Sequence, residues 1–222
     1  MILSEQDKPV DLFSSLPVGV DVEMCERFCG IPVYDIDQLI ANLAQYQVSY
    51  AGTGSRALVY RLRDTSIHSD MTIKVFLAEN TRSYAELTAL SRASGFNAKP
   101  MDFLFYGFSS PDDPDQEFIE DQVKGHVEGS QISPDYIDSP VCIWARKNNQ
   151  GEVEKVGYSL PFIEGEAIKI SDDSELCDVA DMLKRSAGIY VGHRGGRYND
   201  SCNAIVDEAS AVKKFIDVRV IE

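Results

Sequence analysis

The chain has 222 residues, of which 44% are hydrophobic and 26% are charged, a composition typical of a globular protein with a substantial hydrophobic core. Its formal net charge of −15 argues against nucleic acid and anionic membranes as partners, because both are held by patches of lysine and arginine. No stretch of the sequence approaches the roughly 20 consecutive apolar residues that a membrane-spanning helix requires. The five cysteines form no CxxC pair, which favours reduced thiols in a cytosol.

Residues 1–45 are predicted to be an N-terminal extension with one helix. The N-terminus lacks the basic and apolar regions of a secretory signal peptide, so such a signal is not expected. The first twenty or so residues are polar, and we expect them to be flexible. Apolar residues at helical spacing follow an aspartate-rich cap and predict that helix; they are Ile36, Leu39, Ile40 and Leu43.

Residues 46–76 predict a strand–turn–strand unit followed by a third strand. Gly52 and Gly54 lie at the turn, and alternating apolar residues follow them. Glycines there would let the backbone approach phosphate groups closely, and an ordinary hairpin turn is the alternative. A strand rather than a helix follows the glycines, so we discard a dinucleotide-binding Rossmann motif.

Lys74 lies inside the apolar run 72–76. Its ammonium group therefore needs a partner such as a phosphate or a carboxylate, unless it lies on the solvent side of an edge strand. Residues 80–95 predict a helix. Glu86 on that helix could pair with Lys74, and a solvated glutamate is the alternative.

The middle of the chain predicts four segments. They are a strand at residues 100–108, an exposed acidic loop at 109–122, a hairpin at 141–163 and a linker at 164–173. The hairpin turn falls at residues 149–151. A domain boundary is expected near Glu164–Glu166. Residues 174–188 then predict an amphipathic helix that ends at Gly188; its inward residues are Leu176, Val179, Ala180 and Leu183.

Two short β runs near the C-terminus each carry an oxygen donor. Asn203 begins the first, and Asp217 follows the apolar pair Phe215 and Ile216 in the second. Magnesium prefers such hard oxygen ligands. A carboxylate beside buried apolar residues requires a compensating cation, so Asp217 is the more informative of the two.

The order of these features resembles the protein-kinase-like superfamily. The segment 162–166 is similar to the hinge of aminoglycoside-phosphotransferase-like kinases, and the interval of 14 residues between Asn203 and Asp217 is close to the kinase spacing. The resemblance covers about residues 46–222. Because the chain stops soon after Asp217, it resembles in particular the very short effector kinases that bacterial pathogens secrete into host cells.

This resemblance implies a two-lobed α+β fold, with a complete N-lobe at residues 46–165 and an abbreviated C-lobe at residues 166–222. It implies ATP and magnesium as cofactors, and phosphorylation of Ser or Thr in a protein substrate. A host protein would be the activator, and the protein would pass from a bacterial cytoplasm to the host cytosol. The implied site residues are Gly52 and Gly54 over the phosphates, Lys74 on the α- and β-phosphates, Glu86 orienting Lys74, and Asn203 and Asp217 on magnesium.

The catalytic base departs from the family pattern. Five residues before Asn203, where kinases place an aspartate, stands Tyr198, which cannot accept a proton at neutral pH with a pKa near 10. Counting from the preceding helix, Gly188–His193 resembles the family's Gly-Ile-Val-His-Gly-Asp and puts His193 in the position of the aspartate. The base is therefore Asp200, His193 or absent. Without a base, the protein would be a pseudokinase-type binding module or would transfer AMP or another group.

Overall fold

The computed structural model describes residues 27–42, 46–53, 57–64, 69–76, 115–192, 202–207 and 209–220. Within these ranges the protein has a mixed α+β architecture, with a mostly β N-terminal region and few helices. The predicted α+β class is confirmed at this level.

Six described strands form the largest sheet, and all neighbours are antiparallel except β1 and β5. The strands are β1 (Val33–Asp35), β2 (Tyr46–Thr53), β3 (Ala57–Asp64), β4 (Ser69–Phe76), β5 (Cys142–Lys147) and β6 (Val153–Pro161), in the order β1-β5-β6-β4-β3-β2. The predicted strand–turn–strand unit, third strand and later hairpin are confirmed. Gly151, with φ +84°, supplies the left-handed residue that the β5–β6 turn needs.

Alternation along the strands buries both faces of this sheet. One face carries Tyr60, Ile73 and Trp144 and packs against the short helix α1 (Ile36–Ala41). The other face, with Phe76, Ile143 and Tyr158 among its buried residues, packs against the helix α2 (Gln116–Ile132). The predicted helix in the N-terminal extension is confirmed in part: Ile36 and Leu39 are fully buried and Ile40 is half-buried, while Leu43 lies outside the described residues.

Helix α2 corrects the prediction of an exposed loop at residues 109–122 from residue 115 onward, and residues 109–114 lie outside the described ranges. From Gln116 onward the segment is helical, and the Asp115 carboxylate caps it by accepting from the backbone N–H of Phe118 at 3.1 Å. Ile119 and Val123, one turn apart, are fully buried. The sequence pattern did not predict this helix, because acidic residues occupy its outer positions and few large apolar side chains occupy its inner face.

The C-terminal region combines two small sheets with one long helix. Its elements are β7 (Glu166–Lys169), a 3-10 helix (Ile170–Asp172), α3 (Ser174–Ala187), β8 (Ile189–Val191), β9 (Cys202–Asp207), β10 (Val212–Phe215) and β11 (Val218–Val220). Among the described strands, β10-β9-β7 form one antiparallel sheet and β11-β8 the other.

The predicted helix at residues 174–188 is confirmed as α3. Asp173 caps its N-terminus by accepting from the backbone N–H groups of Glu175 and Leu176. Gly188 ends it with φ +64°, the left-handed conformation favoured at helix ends. Leu176, Ala180 and Leu183 are buried as expected, and Val179 is partly buried.

Two predictions about this region are wrong. Residues 164–173 are not a plain linker, because β7 pairs with β9 and the 3-10 helix follows. The β run that contains Asp217 is not continuous either: β10 pairs with β9, β11 pairs with β8, and the chain bends at Ile216 and Asp217 between the two sheets. Asp217 therefore lies where the chain passes from one sheet to the other.

None of the helices in the described ranges is long and apolar enough to cross a membrane.

Candidate functional site

Lys74 lies in the middle of β4 and faces α2. Its cross-strand neighbours are Val59 on β3 and Tyr158 on β6, so these three side chains share one face of the sheet. Its sequence neighbours Ile73 and Val75 enter the core on the opposite face. The lysine side chain is only 15% exposed, which rules out the alternative of a solvated lysine on an edge strand.

Asp217 supplies the carboxylate beside this lysine. The Lys74 Nζ atom lies 3.4 Å from Asp217 Oδ1, although the two residues are 143 positions apart in the sequence. The backbone N–H of Gly192 donates to the Asp217 carbonyl at 2.8 Å and fixes the bend from the side of β8. The structure therefore brings together the two residues on which the sequence reasoning depended most.

The charges of Lys74 and Asp217 stabilise each other. Burial is the largest single effect and acts to lower the pKa of Lys74, but the contributions of Asp217 and Tyr158 together outweigh it, and the pKa lies above its ordinary value. Burial likewise acts to raise the pKa of Asp217, but the Lys74 ammonium and a hydrogen bond from Gln122 hold it below its usual range. Both groups are therefore ionised at neutral pH.

Gln122 and Tyr158 complete the contacts around the ion pair. Lys74 Nζ donates to Gln122 Oε1 at 2.8 Å, and the hydroxyl of Tyr158 donates to the same oxygen at 2.9 Å. Gln122 Nε2 donates in turn to Asp217 Oδ1. Gln122 is 1% exposed and Tyr158 is fully buried, so these two side chains are shielded from water, which strengthens their hydrogen bonds.

His126 lies one turn after Gln122 on α2 and is fully buried. Its Nδ1 atom lies 3.0 Å from the carbonyl oxygen of Asp138, and its ring lies 5.5 Å from that of Tyr158. Burial, followed by the charge of Lys74, lowers the pKa of His126 to about 4. The imidazole is therefore neutral at physiological pH and packs beside Tyr158 as part of the buried surroundings of the site.

Asn203, the second predicted magnesium ligand, lies next to the Asp217 bend. Its carbonyl accepts from the backbone N–H of Ile216 at 2.9 Å. A Cβ atom on Gly192 would lie 2.5 Å from Asn203 Nδ2, so the amide side chain packs directly against this glycine. Asn203 is 5% exposed, and the backbone of Gly192 thus adjoins both predicted ligands.

Gly52 is the other predicted site residue within the described ranges. It pairs with Val59, which pairs with Lys74, so Gly52 and Lys74 lie in one cross-strand row, two strand spacings or roughly 10 Å apart. A register shift between Tyr50 and Gly52 marks an irregularity of β2 at this point. Gly54, Glu86, His193 and Asp200 lie outside the described residues.

Sequence reasoning missed Gln122, Tyr158 and His126. Tyr158 alternates with other inward residues of a correctly predicted strand, and a tyrosine in such a position is read as core. Gln122 and His126 share the helical spacing of Ile119 and Val123. This spacing could have indicated the helix, but polar residues on the buried face weaken the hydrophobic periodicity by which a helix is predicted.

The donors at this site fit magnesium in part. Within the described ranges, no group of three or more His, Cys, Asp or Glu side chains is placed to hold a metal ion. Asp217 and Asn203 would supply one carboxylate oxygen and one amide oxygen. Magnesium commonly takes one or two protein carboxylates and completes its octahedron with phosphate oxygens and water, so these two donors suit a metal that arrives with a nucleotide.

A cavity of about 620 Å³ lies elsewhere, and its lining contains no predicted site residue. It adjoins β7 and the end of β9, and Asp173 and Asp207 are among its acidic residues. Both already have local partners: Asp173 binds Lys213, and Asp207 accepts from the hydroxyl of Ser210.

A scan against models of known protein families gave no match, and a search of curated proteins gave none either. The functional interpretation therefore depends on the geometry of the site and on the motif resemblance alone.

Proposed function

We propose that this protein binds ATP with magnesium at the Lys74–Asp217 site and transfers the γ-phosphoryl group to Ser or Thr of a protein. The observation that carries the proposal is the 3.4 Å approach of Lys74 Nζ to Asp217 Oδ1 across the interface between the large sheet and the C-terminal strands. Phosphoryl transfer depends mainly on positioning and on neutralising the phosphate charge. A buried ammonium and an ionised carboxylate, brought together from distant segments, suit that task.

The order of elements around these two residues supports a kinase-like interpretation. In protein kinases the phosphate-binding lysine lies on the third strand of the N-lobe and pairs with a side chain of the helix αC, and a later aspartate binds magnesium. Here Lys74 lies on β4, the third strand of the antiparallel series β2–β3–β4. Its contact is Gln122 on the buried face of α2, and α2 lies between β4 and β5 in chain order.

Each residue then has a role that its position permits. Lys74 would hold the α- and β-phosphates, and Asp217 and Asn203 would hold magnesium, which neutralises charge on the phosphates when it is bound. Gly52, and Gly54 beyond the described residues, would cover the phosphates. The two candidate bases, His193 and Asp200, belong to the segment between Gly192 and Cys202.

The further predictions on partners and compartment are part of the same proposal. A bacterial effector that acts in a host cytosol would meet protein substrates and a host protein activator there. The net charge of −15 favours a partner with a basic surface. Labelling assays with and without fractions of host lysate test this, and equal activity in all fractions would contradict an activator.

The decisive experiment compares ATP labelled on the γ-phosphate with ATP labelled on the α-phosphate. Wild-type protein with magnesium should transfer only the γ-label to protein, and Asp217→Ala should reduce transfer by roughly 100-fold or more, because the metal would lose its carboxylate. Asp207→Ala is the matched control, since Asp207 is the last residue of β9 and hydrogen-bonds locally with Ser210 rather than with Lys74. Circular dichroism confirms that each variant is folded.

Other results assign the rival functions. Transfer of the α-label identifies an AMP transferase, and a thermal shift with MgATP without any transfer identifies a pseudokinase-type binding module. No thermal shift of the wild type with MgATP overturns nucleotide binding altogether. Asp200→Ala and His193→Ala, measured side by side, show which residue is the base.

A further inference from the structure

The amide of Gln122 contacts both charged groups of the site at once. Its oxygen accepts from Lys74 Nζ at 2.8 Å and from the Tyr158 hydroxyl at 2.9 Å, while its nitrogen donates to Asp217 Oδ1. Every polar atom of this side chain therefore has a partner. A side chain that is 1% exposed and bonded to a cation, an anion and a phenol has one orientation open to it.

We infer that Gln122 is the positioning residue of this site, whose amide fixes Lys74 through Oε1 and Asp217 through Nε2 and so turns the second oxygen of Asp217 toward a metal ion. The metal part of this inference depends on the proposed function. The part in which Gln122 holds the two charged side chains in place is independent of the proposed function.

The two oxygens of Asp217 have different surroundings. Oδ1 accepts from Lys74 and from Gln122, whereas none of the described residues donates to Oδ2. The side chain is 32% exposed. An incoming metal ion can therefore take Oδ2 while Oδ1 keeps its protein partners, an arrangement in which the outer hydrogen bonds orient the ligand.

An amide can do this where a carboxylate cannot. An ionised carboxylate only accepts hydrogen bonds, so a glutamate at this position would retain Lys74 and Tyr158 but lose the bond to Asp217. It would also place a second negative charge against the first. The kinase resemblance implies a glutamate as the lysine's partner; in this protein, an amide in contact with Lys74 also holds the aspartate.

An exchange of the two side-chain types tests the positioning without any ligand. Gln122→Glu should lower the melting temperature of the unliganded protein by roughly 5 °C, because two carboxylates would then face each other. Asp217→Asn should also lower it, because Lys74 loses its ion pair. The double variant restores one amide, one carboxylate and one ammonium in contact, and it should recover at least half of the combined loss.

The magnesium dependence of ATP binding tests the metal part. With Gln122→Glu, the magnesium concentration that gives half of the ATP-induced thermal shift should rise by about 10- to 100-fold. The double variant should regain stability but not this magnesium response, since its carboxylate has moved from position 217 to position 122. A purely structural role for Gln122 would instead leave the magnesium requirement of Gln122→Glu at the wild-type value.

Gln116→Glu is the matched control on the same helix. Gln116 also uses both ends of its amide, with the backbone N–H and C=O of Lys155, so the substitution costs a comparable bond away from the site. Asp217→Asn should not rescue it. The inference fails if Gln122→Glu melts like the wild type or if the double variant is no more stable than the sum of the single losses predicts.

The two proposals fail in different ways. If the wild type shows no response to MgATP, the proposed function and the metal part fall, while rescue in the unliganded double variant still supports the positioning by Gln122. If the wild type binds MgATP and Gln122→Glu binds it equally well at the same magnesium concentration, only the inference is overturned.

Discussion

The large sheet and the C-terminal strands hold their charged residues by different means. Lys74 lies inside β4, which pairs with β3 on one side and β6 on the other, so a continuous ladder of backbone hydrogen bonds fixes it. Asp217 lies at a bend between two short strands of different sheets. Its position depends on a few close contacts, among them the hydrogen bond from Gly192.

Helix α2 connects the two arrangements. Its Gln122 contacts both Lys74 and Asp217, and its Gly125 packs against the backbone of Arg219 on β11: a Cβ atom on this glycine would collide with the Arg219 Cα atom. We therefore expect the backbone of Lys74 to stay in place when α2 moves, whereas the bend at Asp217 would not.

The largest effect is expected from Gly125→Ala. Alanine favours a free helix over glycine by about 1 kcal/mol, but here the added methyl group would meet backbone that cannot move aside. We expect a loss of about 3 kcal/mol in the free energy of unfolding, measured by urea denaturation, and a weaker thermal shift with MgATP.

Gly129→Ala, one turn further along α2, is the control for that variant. Its added methyl group would lie 2.6 Å from Ile137 Cδ1, the end of a flexible side chain that can turn away. A loss of about 1 kcal/mol or less is expected. If the two variants lose the same stability, close packing of α2 on β11 does not fix the Asp217 side.

The second prediction concerns pH and His126, which lies on α2 one turn after Gln122. Its pKa is about 4 in the folded protein and near 6.5 in an unfolded chain. Only the unfolded state takes up this proton as the pH falls from 6.5 toward 4, so stability present above pH 6.5 is lost, by about 3 kcal/mol in all.

Urea denaturation at a series of pH values measures this loss. The groups that act on His126 are Lys74, which lowers its pKa, and Asp217, which opposes that effect. His126→Gln removes the titration, and its stability should fall less steeply over the same pH range. Equal slopes in the variant and the wild type would show that burial does not hold the ring neutral.

The smallest effect is expected on the side of the sheet that faces away from the site. Trp144 Nε1 donates to Ser159 Oγ at 2.8 Å in the fully buried core. Ser159→Ala leaves the indole N–H without this acceptor and should cost about 1–2 kcal/mol without changing the MgATP thermal shift. Ser186→Ala, at the surface of α3, is the control and should change neither. A changed MgATP response in Ser159→Ala would mean that the ladder transmits core changes to Lys74.

Most of the strands could be predicted because their signals are local. The alternation around Lys74 and the turn before Glu152 depend on residues close in sequence, and so do the Asp173 cap and the Gly188 stop of α3. Helix α2 could not be predicted in this way, because its buried face contains Gln122, His126 and two glycines. Those residues suit a helix only when a sheet, a tyrosine and the backbone of another strand are already in place against it.

The two charged residues of the candidate site could be identified from local patterns, since a lysine within an apolar strand and an aspartate after an apolar pair each require a partner of opposite charge. That each is the partner of the other, and that Gln122 joins them, is evident only once the chain is folded. Hydrogen bonds between side chains separated by 48 and 95 positions in the chain leave no periodic trace in the sequence, because their geometry is set by how sheet, helix and bend pack together.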